Sequence, residues 1–464
     1  MQVAELERSL TAVGQQHVLR FWDQLAPAGR TRLLEQLRTL DLNLLQQLTT
    51  GTGDQVNWAA LARRAEPPSA ICLDDPRPTI SPGAARRAGT AALHAGHVGI
   101  ILVAGGQGTR LGFPHPKGTF PIGPVSGHSI FQILFERVAA TARRYGAPVP
   151  VFVMTSPATH VETVAFLEQH AWFGLPASDV TVFCQGTMPA VDARTGQLLL
   201  AAKDALARAP DGHGGLLKAL ATSGSLETAR QRGIQYFSYG QIDNPLVQIG
   251  QPELIGYHIL AQSEMTSQVI RKNDPLDRVG NVVMIDDQMH VIEYSDLPDD
   301  VARQRNPDGT LTIWAGSIAV HVFDRAFLER CAAEARTLPF HRARKKVPFI
   351  DPDGVRNEPD APNAIKFEQF IFDLLPHARN ALVVEGRRSE VFAPVKNAEG
   401  SPDDTPTAVR QAMMQLHRAW LRAAGIPVPD DVPVEIGPLW ALDADQVAAR
   451  ATDLGPVNQP LFVT

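Results

Sequence analysis

The chain has 464 residues, a formal net charge of −6, and is 44% hydrophobic and 20% charged. At roughly 150 residues per domain that length allows about three domains, or one large core with appendages, and needs no disulfide or metal to hold it. The acidic balance excludes a chain-wide basic field for nucleic acid or anionic lipid, no apolar run approaches the ~18 residues of a membrane span, and the start MQVAELERSL lacks a leader pattern.

Cys72, Cys184 and Cys331 are widely separated and form neither a disulfide framework nor a metal-binding cluster, so a soluble cytoplasmic protein is expected. The first fifty residues read as helices. Leu10, Val13, Val18, Phe21, Trp22 and Leu25 recur at helical spacing, and Leu33, Leu34, Leu37 and Leu40 resume it after Pro27 and Gly29. The stretch 66–90 is rich in Pro and Arg and reads as a connector. After His97 comes VGIILVA, a short β-branched run suited to a strand buried on both faces. Further strands are expected at Val149–Thr155, Val180–Gln185, Ile234–Gly240 and Val282–Ile285. Helices are expected at Ser129–Tyr145, Thr159–His170, Leu216–Arg232, Pro252–Ser263 and Pro406–Ala424. This alternation predicts an open α/β sheet. Three parts are expected: a helical segment with connector (1–92), a central catalytic domain (93–380) and a small C-terminal domain (381–464).

The densest chemical signal is Leu102–Gly118, LVAGGQGTRLGFPHPKG. A buried strand running into a glycine-rich turn leaves backbone N–H groups facing outward, where they suit phosphate oxygens. Gly105, Gly106 and Gly108, after Ala104, let a ligand approach the backbone closely. Arg110 offers a planar fork and Lys117 a point charge for phosphate. A Walker A loop is excluded because the lysine precedes its glycine in Lys117-Gly118, and the dinucleotide fingerprint fails because Leu111 stands where its last glycine belongs.

Leu102–Gly118 resembles the nucleotide-binding signature of the UDP-N-acetylhexosamine pyrophosphorylases, within the wider UDP-sugar pyrophosphorylase family. Further matches follow in family order: VGQQHVLRFWDQL (13–25), FCQGTMPA (183–190), PDGHGGL (210–216), IDN (242–244), VGNV (279–282), VIEYS (291–295), WAGSI (314–318), PNAIKFEQFIFD (362–373), SEVFAPVKNA (389–398) and VEIGPL (434–439). The resemblance implies a Rossmann-like, glycosyltransferase-A-like nucleotidyltransferase core with a mixed sheet. It further implies uridylyl transfer, in which UTP and a sugar 1-phosphate give a UDP-sugar and pyrophosphate, with Mg²⁺ as cofactor.

By the same resemblance Arg110, Lys117 and Lys396 act on the phosphates, while Ala104, Gly105, Gly106, Gly108, Gln185, Pro189 and Gly214 bind the nucleotide. His213, Gly280, Glu293, Ser317 and Lys366 surround the sugar, and Asp243 ligates Mg²⁺. Two positions depart from the family pattern, which has asparagine where this chain has His213 and Ser317. N-acetylglucosamine 1-phosphate is the expected sugar substrate. Glucose or galactose 1-phosphate is the alternative within the same chemistry, and a catalytically silent nucleotide-sugar sensor is the alternative outside it. The basic run Arg342–Lys346 reads as a solvated face, Phe367, Phe370, Ile371 and Phe372 as core, and the fourteen scattered histidines lack zinc-ligand spacing.

Overall fold

The computed structural model describes residues 3–50, 57–334 and 338–464, grouped in two units. One unit comprises Met1–Asn57, Gly186–Gly215 and Thr337–Asp373; the other comprises Trp58–Gln185, Leu216–Arg336 and Leu374–Thr464. The expected segment 93–380 therefore contributes to both units, and 381–464 belongs wholly to the second.

The second unit is built on a ten-stranded mixed sheet. In chain order its strands are β1 (Ala70–Ile71), β2 (Val98–Val103), β3 (Val151–Thr155), β4 (Val180–Cys184), β5 (Tyr236–Gln241), β6 (Met265–Arg271), β7 (Gly280–Ile285), β8 (Gln288–Ile292), β9 (Ala315–Asp324) and β10 (Leu382–Glu385). The spatial order is β1-β10-β6-β9-β5-β2-β3-β4, with the β7–β8 hairpin branching from β9. β9 runs antiparallel to both β5 and β6, whereas β5, β2, β3 and β4 are mutually parallel. Ile100, Ile101 and Leu102 are almost fully buried, as expected of a strand covered on both faces.

Four helices of this unit position the chemistry: α1 (Pro82–His94), α2 (Ile130–Tyr145), α3 (Pro252–Leu260) and α4 (Pro406–Ala423). Ser129 caps α2 by accepting from Gln132 N–H, and Gly146 in the left-handed region (φ +65°) ends it. The helix buries Phe131, Leu134, Phe135 and Val138 along one stripe, each large side chain contributing about 1.5–3 kcal/mol. Helices α1 and α3 touch backbone to backbone: a Cβ on Gly89 would lie 1.8 Å from the Pro252 carbonyl oxygen, and one on Gly256 1.7 Å from that of Ala85.

The connector expected at 66–90 is only partly a connector, because Ser81 caps α1 and Pro82 opens it. The single helix expected at Leu216–Arg232 is two, Leu216–Thr222 and Ser225–Gln231, divided at Gly224 with φ +75°. Residues 381–464 do not form a core of their own: Val409, Met413, Leu416, Leu421 and Val434 join the same apolar cluster as Ile100 and Phe131.

In the first unit Leu6, Leu10, Leu33, Leu37 and Leu45 pack with Val191, Leu198, Leu200, Ile365 and Phe367. Pro27 opens the helix Pro27–Arg38 rather than interrupting one, and Val18 and Trp22 lie on short 3₁₀ turns. A three-stranded antiparallel sheet joins His341–Lys345, Ala364–Glu368 and Val191–Asp192.

Candidate functional site

Strand β2 delivers Ala104 in a buried position, its N–H bonded to the Met154 carbonyl of β3 at 2.7 Å. The backbone then leaves the ladder. Among the described residues the N–H groups of Gly105, Gly106 and Gln107 have no hydrogen-bond partner. The turn is braced from behind: Lys117 N–H donates to the Gly106 carbonyl at 3.0 Å, and Gly108 N–H to the His115 carbonyl at 2.9 Å.

The three glycines therefore differ in kind. A Cβ on Gly105 would stand 2.6 Å from Oε1 of Gln185, so the amide at the end of β4 lies directly over the loop. Gly106 is exposed, with no atom within 4 Å of where its Cβ would be. Gly108 is buried, and a Cβ there would meet the Phe113 carbonyl oxygen at 2.7 Å. Gly108 shapes the turn; Gly105, Gly106 and Gln107 present it. Consecutive N–H groups at the end of a parallel strand form an anion-binding concavity.

Beside the loop, charged side chains gather from distant segments. Lys117 Nζ donates to the Val395 carbonyl at 3.2 Å, and Val395 N–H donates to the Asp243 carbonyl at 2.8 Å. The neighbouring Asn244 ties the same segments together, its side chain donating to the Val391 carbonyl at 2.7 Å and accepting from Ala393 N–H at 3.1 Å. It also accepts from Leu246 N–H, so the Asx turn here belongs to Asn244, and among the described residues no side-chain hydrogen bond occupies the Asp243 carboxylate.

Lys396 follows Val395, with its Nζ 5.7 Å from the centre of the Phe392 ring. Arg110 is exposed and makes no ion pair among the described residues. Burial pushes the Lys117 ammonium below the ordinary lysine range; Lys396 and Arg110 push the same way, while Asp243 and Asp404 oppose them.

Asp404 was not singled out by the sequence. Its backbone is left-handed (φ +54°), and its carbonyl takes N–H bonds from Lys396 at 2.9 Å and Asn397 at 3.1 Å, closing the loop that carries the lysine. Burial raises its carboxyl, with Asp403 and Asp243 adding to the rise and Lys396 opposing. The only sequence signal was an acidic pair, Asp403-Asp404, seven and eight residues past Lys396.

Three expected sugar-binding positions come together on the β7–β8–β9 side of the sheet. Gly280 pairs with Ser317, and a Cβ on Gly280 would lie 3.3 Å from Glu293 Oε1 and 3.7 Å from Ser317 Cβ. Behind them Lys272 Nζ donates to Asn281 Oδ1 at 2.7 Å, and Asn281 donates to the Ile292 carbonyl at 3.1 Å. This buried strut fixes the residues that precede Glu293 and follow Gly280. Burial drops the Lys272 amine to about 8, against the pull of Asp277 and Asp274.

The remaining expected positions lie in the first unit. Pro189 ends a strand paired with Arg208–Pro210, and the turn Asp211–Gly215 follows. Gly214 N–H donates to the Gln369 carbonyl at 2.7 Å. The His213 ring stacks on Phe370 at 5.1 Å, and its Nδ1 accepts from Ile371 N–H at 3.2 Å. Burial lowers His213 to about 4, with His341 adding to the effect. An accepting Nδ1 places the ring hydrogen on Nε2, so His213 is a neutral donor at pH 7. Lys366 pairs across the sheet with Ala343 and is half-buried, while Arg342, Arg344 and Lys345 on that neighbouring strand are exposed.

Comparison with known proteins gives a consistent result. Residues 49–423 match the family described as UTP--glucose-1-phosphate uridylyltransferase. The chain is 38% identical over 439 residues to a UDP-N-acetylhexosamine pyrophosphorylase-like protein 1 of Xenopus tropicalis, covering 90% of this chain and 84% of that protein. It is 34% identical to UDP-N-acetylglucosamine diphosphorylase 2 of Arabidopsis thaliana, covering 96% and 91%. The crystal structure of the uridine diphosphate N-acetylglucosamine pyrophosphorylase from Trypanosoma brucei, in complex with inhibitor, superposes with a TM-score of 0.81 at 25% identity, covering 96% of this chain and 94% of that one.

Proposed function

The chain belongs to the UTP--glucose-1-phosphate uridylyltransferase family, and we infer that it transfers uridylyl from UTP to N-acetylglucosamine 1-phosphate, giving UDP-N-acetylglucosamine and pyrophosphate. The choice of sugar rests on relatives, 34–38% identical over nine-tenths of the chain, whose names specify N-acetylhexosamine or N-acetylglucosamine. The observation that supports the reaction is the open row of N–H groups at Gly105–Gln107, with Lys117, Asp243 and Lys396 tied together beside it through Val395, whose carbonyl accepts from Lys117 Nζ and whose N–H donates to the Asp243 carbonyl.

A sugar phosphate has a second pKa of about 6 and is already a dianion at pH 7, so it needs no base. Its oxygen forms a bond to the α-phosphorus of UTP as the bond from that phosphorus to the bridging oxygen breaks, and pyrophosphate carries away the electron pair. The protein's task is to align two anions that repel each other and to neutralise charge on the leaving group. Gly105, Gly106 and Gln107 hold phosphate oxygens through N–H groups. Arg110, Lys117 and Lys396 supply positive charge; Gln185 reads the uracil edge. Glu293 accepts hydrogen bonds from sugar hydroxyls, with Gly280 leaving room and Ser317 alongside. Pro189 and Gly214 are assigned to the nucleotide, and His213, as an Nε2–H donor, and Lys366 to the sugar.

Asp243 suits Mg²⁺: it is a hard oxygen donor whose carboxylate takes no side-chain hydrogen bond among the described residues, and Mg²⁺ on phosphates takes only one or two protein carboxylates. When bound, the ion screens the phosphate charge; the chain's contribution is the carboxylate that locates it. Pyrophosphate release from UTP and Mg²⁺ with a panel of sugar 1-phosphates tests the proposal. N-acetylglucosamine 1-phosphate should give the highest kcat/KM. Preference for glucose 1-phosphate would overturn the sugar assignment, and binding without release under every substrate would overturn the reaction.

A further inference from the structure

A cavity of about 590 Å³ lies within the second unit, lined by α2, α4, the Gln248–Glu253 turn, the start of the 387–390 turn and residues 442–445. None of the residues assigned above lines it. Four arginines and four acids do, and their pairing is uneven. Arg86 bonds Glu253 at 3.2 Å and Asp445 at 2.7 Å, Arg387 bonds Glu390 at 3.2 Å, and Arg144 bonds Asp443. The other oxygen of Asp443 accepts from Gln446 N–H at 2.9 Å, so each acid is engaged.

Arg137 is left over. Projecting from the middle of α2, its half-buried side chain makes no hydrogen bond or ion pair among the described residues, and its Nε is sealed from solvent. Burial pushes its guanidinium down to about 10, and Asp443 offers only a distant opposing charge. A guanidinium whose Nε is sealed from water without a partner is unfavourable unless something pairs with it. Leu416, Ala419 and Trp420 of α4 form an apolar wall of the same cavity. A guanidinium fork beside such a wall matches a planar anionic head on an apolar body.

We propose that this cavity is a second binding site, for a small organic anion whose carboxylate or phosphate pairs with Arg137 while its apolar body lies against Leu416 and Trp420. Its occupant also touches the turn 387–390, where Gln248 donates to the Glu390 carbonyl at 3.4 Å. The chain continues from there into Val391–Lys396, which is bonded to Asn244 and Asp243. A ligand here therefore bears on the segment that carries Lys396.

The test is calorimetric titration of phenyl phosphate into the full chain held in saturating UDP-N-acetylglucosamine, so that phosphate-binding groups at the glycine loop are taken. One saturable site is expected, tighter for phenyl phosphate than for inorganic phosphate, with a benzoate arm showing whether the preferred head is carboxylate or phosphate. Arg137→Met should weaken it roughly ten- to hundredfold, as loss of a charged hydrogen-bond pair implies. The melting temperature should stay level or rise, because an unpaired buried charge is removed. Ala419→Trp, which fills the cavity, should abolish binding without involving Arg137. Absence of saturable binding by phenyl phosphate and benzoate, affinity unchanged in both variants, or equal affinity for inorganic phosphate overturns the proposal.

Discussion

Replacing Gly106 by alanine separates a ligand-facing glycine from a structural one. No atom lies within 4 Å of the new methyl group, and the residue's φ is outside the left-handed region, so the folded chain accepts it without strain. Alanine narrows the unfolded ensemble, and the variant should be about 0.4–1 kcal/mol more stable than the parent. If UTP phosphates sit on the N–H groups of Gly105–Gln107, the same methyl group occupies their space. Losing two hydrogen bonds to an anion removes about 3–6 kcal/mol, or roughly 10²–10⁴ in kcat/KM for UTP. Gly108→Ala is the counterpart: its methyl group meets the Phe113 carbonyl oxygen at 2.7 Å and should destabilise the fold by about 1–3 kcal/mol. Thermal unfolding and pyrophosphate release on the two variants measure both quantities. A Gly106→Ala enzyme with parental kcat/KM for UTP would refute the assignment of the nucleotide to this loop.

Three further outcomes are expected. Because burial lowers the Lys117 ammonium, its charge is present at low pH and is lost as pH rises through a value below the ordinary lysine range; the KM for UTP should climb on that alkaline limb, and Lys117→Arg should flatten it. Glu293→Ala should raise the KM for the sugar phosphate at least tenfold and leave that for UTP unchanged, since its carboxylate lies beside Gly280 and Ser317 rather than the glycine loop. Lys272 falls from 10.5 to about 8 on burial, so between those values the unfolded chain holds a proton that the folded chain has shed. Stability relative to Lys272→Met should therefore rise with pH across that window, by about 3 kcal/mol in all, as pH-dependent melting would show.

What the sequence disclosed depended on how far apart the interacting parts lay. VGIILVA and the helix after Ser129 were legible because burial on both faces and a 3.6-residue stripe are local patterns. Strand β9, which bridges β5 and β6, was not read as a strand, because AGSIAVHVFD mixes small and polar residues and owes its conformation to antiparallel partners on either side. The non-contiguous units were hidden for the same reason: Gly186–Gly215 belongs with Thr337–Asp373 through the pairing of Val191 with Ile365 and the bond from Gly214 to Gln369. At the site, Arg110, Lys117 and Asp243 stood out as charges beside glycine or strand ends. Asp404 and Lys272 did not, since each matters through a partner remote in sequence.

The charge of the sugar phosphate removes the need for a titrating base, yet the chain holds one charged residue, Lys117, below its ordinary range. Lys117 is half-buried, feels the charges of Lys396 and Arg110, and donates to a neutral oxygen at 3.2 Å. That arrangement makes the ammonium easier to deprotonate than an ordinary lysine. An incoming triphosphate reverses the balance, because its oxygens are anionic and outcompete a carbonyl for the same donor. On the proposed reaction, phosphate oxygens take Lys117 Nζ from the Val395 carbonyl. Val395 N–H is bonded to the Asp243 carbonyl and Lys396 is the next residue, so the partner taken by Lys117 bears directly on the segment that carries Lys396.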